Sequence, residues 1–143
     1  MSEVSFYTGV ADRLPFVCRL LRKAQQSGAR IAVVGPESAL DRLDAALWTF
    51  EPTEFVPHLR LRAGSHPIAQ AGRTPVLLVD GVDQAGHAEV LLNLGPGLAA
   101  GYEQFARVLE VVSTDEQQVQ AGRERFKAYR AAGHAVTHHV LGA

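Results

Sequence analysis

Two short stretches, Pro75-Val-Leu-Leu-Val-Asp80 and Glu89-Val-Leu-Leu-Asn-Leu94, decide how this chain folds. Each is apolar at consecutive positions. A strand with one face in water alternates apolar and polar side chains, whereas a strand covered on both faces need not. The two runs therefore predict strands buried between layers of helix. A third run, Ile31-Ala-Val-Val34, makes residues 30–34 a strand of the same kind, closed by the breaker pair Gly35-Pro36.

Outward from these runs the periodicity changes. Phe16, Val17, Leu20, Leu21 and Ala24 recur three and four residues apart, the period of a helix with one apolar face. Asp12 can cap this helix, Gly28 ends it, and Arg13, Arg19, Arg22 and Lys23 fall largely on its solvent side. Leu40, Leu43, Ala46 and Leu47 give a second helix over 38–48, and Pro52 ends any continuation. Residues 4–8 read as a first strand and 55–61 as a short one. Residues 63–74, rich in Gly, Ala and Pro, read as a loop. A short helix over 101–109 leads into a strand over 108–112, their shared boundary left open. Ser113, with Glu116 three residues later, forms a capping box for a last long helix over 114–132, stopped at Gly133. The tail from His134 is either a final edge strand or a loose end. This alternation predicts an α/β domain of three layers, a mostly parallel sheet with helices on both faces. At 143 residues, a single domain over 1–143 is expected.

Composition narrows the function classes. The net charge of −1 excludes a protein that coats nucleic acid through bulk positive charge, although a local basic patch stays open. The single cysteine, Cys18, excludes an intrachain disulfide and fits a reducing compartment, so a cytoplasmic location is expected. Cys18 shares a helix face with Leu14, Leu21 and Arg22, and reads as a core or semi-buried residue, as free cysteines commonly are. The N-terminus carries Glu3 and no long apolar run, which speaks against a signal peptide. No window of 18 apolar residues predicts a membrane span.

Candidate chemistry is sparse. Gly95, Gly97 and Gly101 follow a predicted strand and resemble a variant dinucleotide fingerprint. The turn lies late in the chain, Pro96 removes an amide, and the next strand ends in Ser113 and Thr114 rather than an acid. Asp80, Asp83, His87 and Glu89 match no strong metal motif, and neither do His134, His138 and His139. No serine sits in a nucleophile elbow. The expectation is therefore no catalytic residue, no cofactor and no metal. Around Pro52 and Pro57, Trp48, Phe50, Phe55 and Val56 crowd aromatic and apolar surface that either wraps a sheet edge or faces a partner.

The helix segment Arg123-Glu-Arg-Phe-Lys-Ala-Tyr-Arg130 is the most informative stretch for function. At 100° per residue, Arg123, Lys127 and Arg130 fall within about 60° of one another. Phe126 lies roughly 40° beyond that stripe, and Tyr129 roughly 60° beyond Phe126. Cations beside an aromatic surface suit an acidic peptide with an apolar anchor, and they also suit single-stranded nucleic acid.

These residues carry a family resemblance. Leu40-Asp-Arg-Leu-Asp-Ala-Ala-Leu-Trp48, Phe55-Val-Pro-His58, and Arg123 to Arg130 with Ala132-Gly133 resemble the chi subunit of bacterial DNA polymerase III; Val4-Ser-Phe-Tyr7 is similar to that family's first strand. The resemblance implies a Rossmann-like fold used without nucleotide, in a non-catalytic subunit of the clamp-loader complex. It implies two partners, the acidic C-terminal tail of single-stranded DNA-binding protein and the psi subunit. Some family members also pair with a helicase related to the excision-repair helicases, and contact with nucleic acid is mostly indirect. Carried over by position, the tail site comprises Arg123, Phe126, Lys127 and Arg130, with Trp48 nearby and Val112 as apolar wall. The psi site comprises Phe55, Val56 and Pro57. The rival readings are a small nucleotide-dependent enzyme using Gly95 to Gly101, and a protein that binds single-stranded DNA directly through the basic helix.

Overall fold

The computed structural model describes residues 2–49, 56–62, 74–87 and 89–141. Among these described residues, seven strands and three α-helices follow in the order β1 (Glu3–Val10), α1 (Arg13–Gln26), β2 (Ile31–Val34), α2 (Glu37–Thr49), β3 (His58–Leu61), β4 (Val76–Val79), β5 (Val90–Asn93), β6 (Arg107–Ser113), α3 (Glu116–Ala131) and β7 (Ala135–Val140). They build one sheet in the order β3-β4-β2-β5-β6-β1-β7, and every described pairing is parallel.

The consecutive apolar runs do what their pattern requires. In β2, Ile31 and Val33 enter one core while Ala32 and Val34 enter the other. Similarly, Val76 and Leu78 of β4 pack on one side, Leu77 and Val79 on the opposite side. The first core holds the inner faces of α1 and α2, with Val17, Cys18, Leu21, Leu40, Leu43 and Leu47. The second core lies under α3 and is rich in rings, including Phe6, Tyr102, Phe105 and Tyr129. Each fully buried Val, Leu or Phe contributes about 1.5–3 kcal/mol, so neither layer is dispensable.

Several boundaries differ from the sequence expectation. Residues 101–109 hold only a 3-10 turn over Tyr102–Gln104, and β6 already begins at Arg107. Pairing with β1 and β5 draws this stretch into the sheet and overrides its helical pattern. The cap of α3 is Asp115, whose Oδ1 accepts from the amides of Gln117 and Gln118. Ser113 Oγ instead accepts from the Asp115 amide, one step before the helix. The tail resolves as the edge strand β7, parallel to β1. Of the strand expected over 55–61, the described part forms β3 from His58; Phe55 lies outside the described residues, as does most of the loop expected over 63–74.

Candidate functional site

A groove of about 510 Å³ opens between α3 and the β6-β1-β7 edge of the sheet. Phe6, Thr8 and Gly9 come from β1, Val112 and Ser113 from β6, and His138 from β7. Thr114 follows β6, while Val119, Gly122, Arg123, Phe126 and Lys127 come from α3. Two glycines shape it. Gly9 has φ +74°, and a Cβ there would collide with the Leu141 carbonyl oxygen. Only glycine adopts that conformation at no cost, and it lets β1 shift register between Tyr7 and Val10 at the groove mouth. Gly122 lets α3 approach the sheet closely, since a Cβ there would stand 2.8 Å from Val112 Cγ2.

The walls divide by chemistry. Phe126 is half-buried, its edge set against Phe6 with ring centroids 5.3 Å apart. The Arg130 guanidinium stands 5.8 Å from the Phe126 centroid, a cation–π contact that steadies the ring from outside the groove. Arg123 and Lys127 are exposed and line the rim. Lys127 also lies 3.9 Å from Glu124, one helical turn away, a surface pair that contributes little. No carboxylate is among the lining residues.

Beneath α3 lies a buried polar network that the sequence reading missed. Glu110 of β6 is fully buried. One of its oxygens accepts from Arg125 Nε at 3.0 Å; the other accepts from Tyr129 Oη at 2.6 Å and Asn93 Nδ2 at 3.0 Å. Burial pushes the Glu110 carboxyl up, while Arg125, Tyr129 and Asn93 pull it down. Burial, and then Glu110, push the Tyr129 phenol up, so it remains a donor. The network ties α3 to the sheet, orienting Arg125 and Tyr129 inward and leaving Arg123 and Lys127 outward. The available signal was Glu110 itself, one acid in the apolar run Val108 to Val112.

The same network absorbs the glycine turn. The Gly95 amide donates to Asn93 Oδ1, the Pro96 carbonyl accepts from Arg125 Nη1, and the Gly97 carbonyl accepts from Asn93 Nδ2. The 3-10 turn that follows gives no helix N-terminus for a phosphate. Of the three acids and one histidine between β4 and β5, Asp80, Glu89 and His87 serve local bonds. Asp80 pairs with Arg60 at 2.8 Å, the Arg30 amide donates to Glu89, and the Glu89 amide donates to His87 Nδ1. Among the described residues, no three His, Cys, Asp or Glu side chains gather in a metal-binding group.

The structure thus brings Arg123, Phe126, Lys127 and Val112 to one groove, with Arg130 outside its wall. Trp48 is a correction. It belongs to α2, on the opposite face of the sheet, and its ring packs on His58 of β3. From β3 to β6 and β1 is four to five strand spacings, about 19–24 Å. Tyr129 likewise faces the core rather than the groove. Of the expected psi site, Val56 is 1% exposed and packs in the α2 core, so its side chain presents no partner surface. Pro57 is half-buried, and Phe55 lies outside the described residues.

Fold and site together define a Rossmann-like parallel α/β domain whose open groove lies beside its last helix and edge strand. The fold is shared with the Mss116p DEAD-box helicase domain 2 bound to an RNA duplex, at a TM-score of 0.66 and 12% identity, covering 100% of this chain and 65% of that one. A family model described as DNA polymerase III chi subunit, HolC, matches residues 1–137. DNA polymerase III subunit chi of Pseudomonas aeruginosa is 30% identical over 146 residues, spanning 99% of this chain and 98% of that protein. Its counterpart in Escherichia coli is 32% identical over 119 residues, covering 82% and 78% of the respective chains. This chain belongs to the DNA polymerase III chi subunit family, a family of accessory subunits in DNA replication. No helix among the described residues is long and apolar enough to cross a membrane.

Proposed function

We propose that this chain is a non-catalytic accessory subunit of the polymerase III clamp-loader complex, and that its groove holds the acidic C-terminal tail of single-stranded DNA-binding protein. The observation that carries this reading is the convergence of two exposed cations, Arg123 and Lys127, with Phe126 and Val112 around one groove free of lining carboxylates. A peptide that ends in an apolar residue next to its own carboxylate matches both halves. The apolar side chain packs against Phe126, Val112, Val119 and Phe6. The terminal carboxylate meets Arg123 or Lys127 in a charge-assisted contact. Upstream acids extend toward Lys127 and Arg130. Because both rim cations are in water, affinity is modest and falls with salt.

A psi-like subunit takes the far edge of the sheet in this reading. Pro57 and Phe55 remain its proposed contacts, and Trp48, 63% exposed at the same edge, joins them. The Glu110 network, which occupies the glycine turn, favours this binding role over a nucleotide-dependent enzyme.

The test is calorimetric titration at low salt with a peptide copying the acidic tail. Saturable binding is expected. The same peptide with an amidated C-terminus should bind several-fold more weakly, because the amide removes the charge that Arg123 or Lys127 meets. Binding should survive an excess of single-stranded oligonucleotide. Displacement by the oligonucleotide would favour direct nucleic-acid binding, and indifference to amidation would sink the carboxylate assignment.

A further inference from the structure

His138 occupies a position the basic-helix motif does not cover. It comes from β7, register-paired with Phe6 of β1, and lines the same groove as Arg123 and Lys127. Its Nε2 lies 2.6 Å from Thr8 Oγ1, and its ring centroid is 6.0 Å from that of Phe126. The hydroxyl and the aromatic edge therefore hold the imidazole at the groove wall, although its surface is open to water.

We propose that His138 is a third polar contact for the acidic peptide, and that proton uptake by this histidine tightens the peptide's hold. The inference rests on the groove being the tail site. Once protonated, the ring donates from Nε2 to Thr8 and keeps its Nδ1–H for a ligand carboxylate. The groove then presents three positive charges instead of two.

The groups around His138 leave that third charge unmatched until a ligand arrives. From α3, Arg123 and Lys127, both cationic, line the same groove. Glu124 lies beside Lys127 and is not a lining residue. From β1, His138 meets Thr8, which does not titrate in this range. Glu110 of β6 is enclosed under Arg125 and Tyr129. Along β7, His134 is held by Ser2 and Tyr102, and His139 is stacked on Tyr7 with centroids 4.9 Å apart. Peptide carboxylates stay ionised at pH 5.5, so a change in affinity down to that point reports on the protein rather than on the ligand.

The experiment measures tail-peptide affinity at pH 5.5, 6.5 and 8.0, at fixed ionic strength, for wild type, His138→Ala, His138→Lys and His139→Ala. Wild type and His139→Ala should bind about two- to fivefold more tightly at pH 5.5 than at pH 8.0, the range of one exposed ion pair. His138→Ala should lose that dependence, and His138→Lys should bind tightly at every pH. Circular dichroism at each pH checks that the variants are folded. A pH dependence in His138→Ala equal to that of wild type overturns this assignment and leaves the tail reading standing. Absence of wild-type binding at all three values overturns the tail reading and this inference together.

Discussion

Replacing Arg125 by methionine tests whether the buried network, rather than apolar packing alone, fixes α3 in its observed orientation. The substitution keeps most of the side-chain volume and removes the cation 3.0 Å from Glu110. It also removes the donor to the Pro96 carbonyl. Glu110 is 0% exposed, so water cannot replace the lost partner. Breaking one side of a buried pair costs about 3–5 kcal/mol, a large share of the roughly 5–15 kcal/mol that holds a domain together. The double variant Arg125→Met, Glu110→Gln removes the stranded charge while keeping an acceptor for Tyr129, and should recover most of that loss. Urea unfolding of wild type, both single variants and the double variant gives the coupling energy, expected at about 2 kcal/mol or more. The pH dependence supplies a second check. Glu110 is raised in the folded state, and loss of Arg125 raises it further. A raised carboxyl contributes stability that is full below its unfolded value and is lost as pH rises through the folded value. The Arg125→Met deficit should therefore grow as the pH rises above the ordinary carboxylate range. Additive effects within about 0.5 kcal/mol, or a deficit constant with pH, would refute the reasoning.

Three further outcomes follow from the geometry. Cys18 is buried and its thiol is pushed up to about 11 by burial, so a thiol reagent at pH 8 should label it only after denaturation. Its contribution to stability should be full below the ordinary thiol range and be lost as pH rises through about 11; rapid native labelling would contradict its placement. Gly122→Ala gains about 1 kcal/mol of helix propensity but drives a methyl to 2.8 Å from Val112 Cγ2, where overpacking costs about 1–3 kcal/mol. A net loss in thermal unfolding together with weaker tail binding is expected, and a clear gain in both would show that α3 moves freely there. Trp48→Ala should leave tail affinity unchanged, because the ring lies on the opposite face of the sheet; a tenfold loss would place it in the site after all.

Much of the fold was legible because both-face burial leaves a direct mark on sequence. Ile31 to Val34, Val76 to Val79 and Val90 to Leu92 are apolar without alternation, and each became a central strand. The stretch before β6 was misjudged because its helical period competed with sheet pairing on both sides, which no local window displays. At the groove, the i, i+4 spacing of Arg123 and Lys127 made the cationic rim legible, since one helix supplies both. Thr8, Gly9 and His138 were not legible as groove residues. They come from strands separated by more than 100 positions and meet only through the β1–β7 pairing. Arg125 was hidden for a different reason. An arginine in a basic stretch reads as solvated unless its partner is known, and Glu110 lies on another element.

The most direct test of the central claim is the low-salt affinity of the tail peptide for wild type against the double variant Arg123→Ala, Lys127→Ala. Both side chains are exposed, so the variant should fold as wild type does. Loss of a well-aligned charge-assisted contact costs about 1.5–3 kcal/mol, which predicts an affinity at least about tenfold weaker. Rising salt should also weaken the variant's binding less than the wild type's. Equal affinity for the two proteins at low salt would contradict the account and leave this face of α3 as ordinary solvated surface.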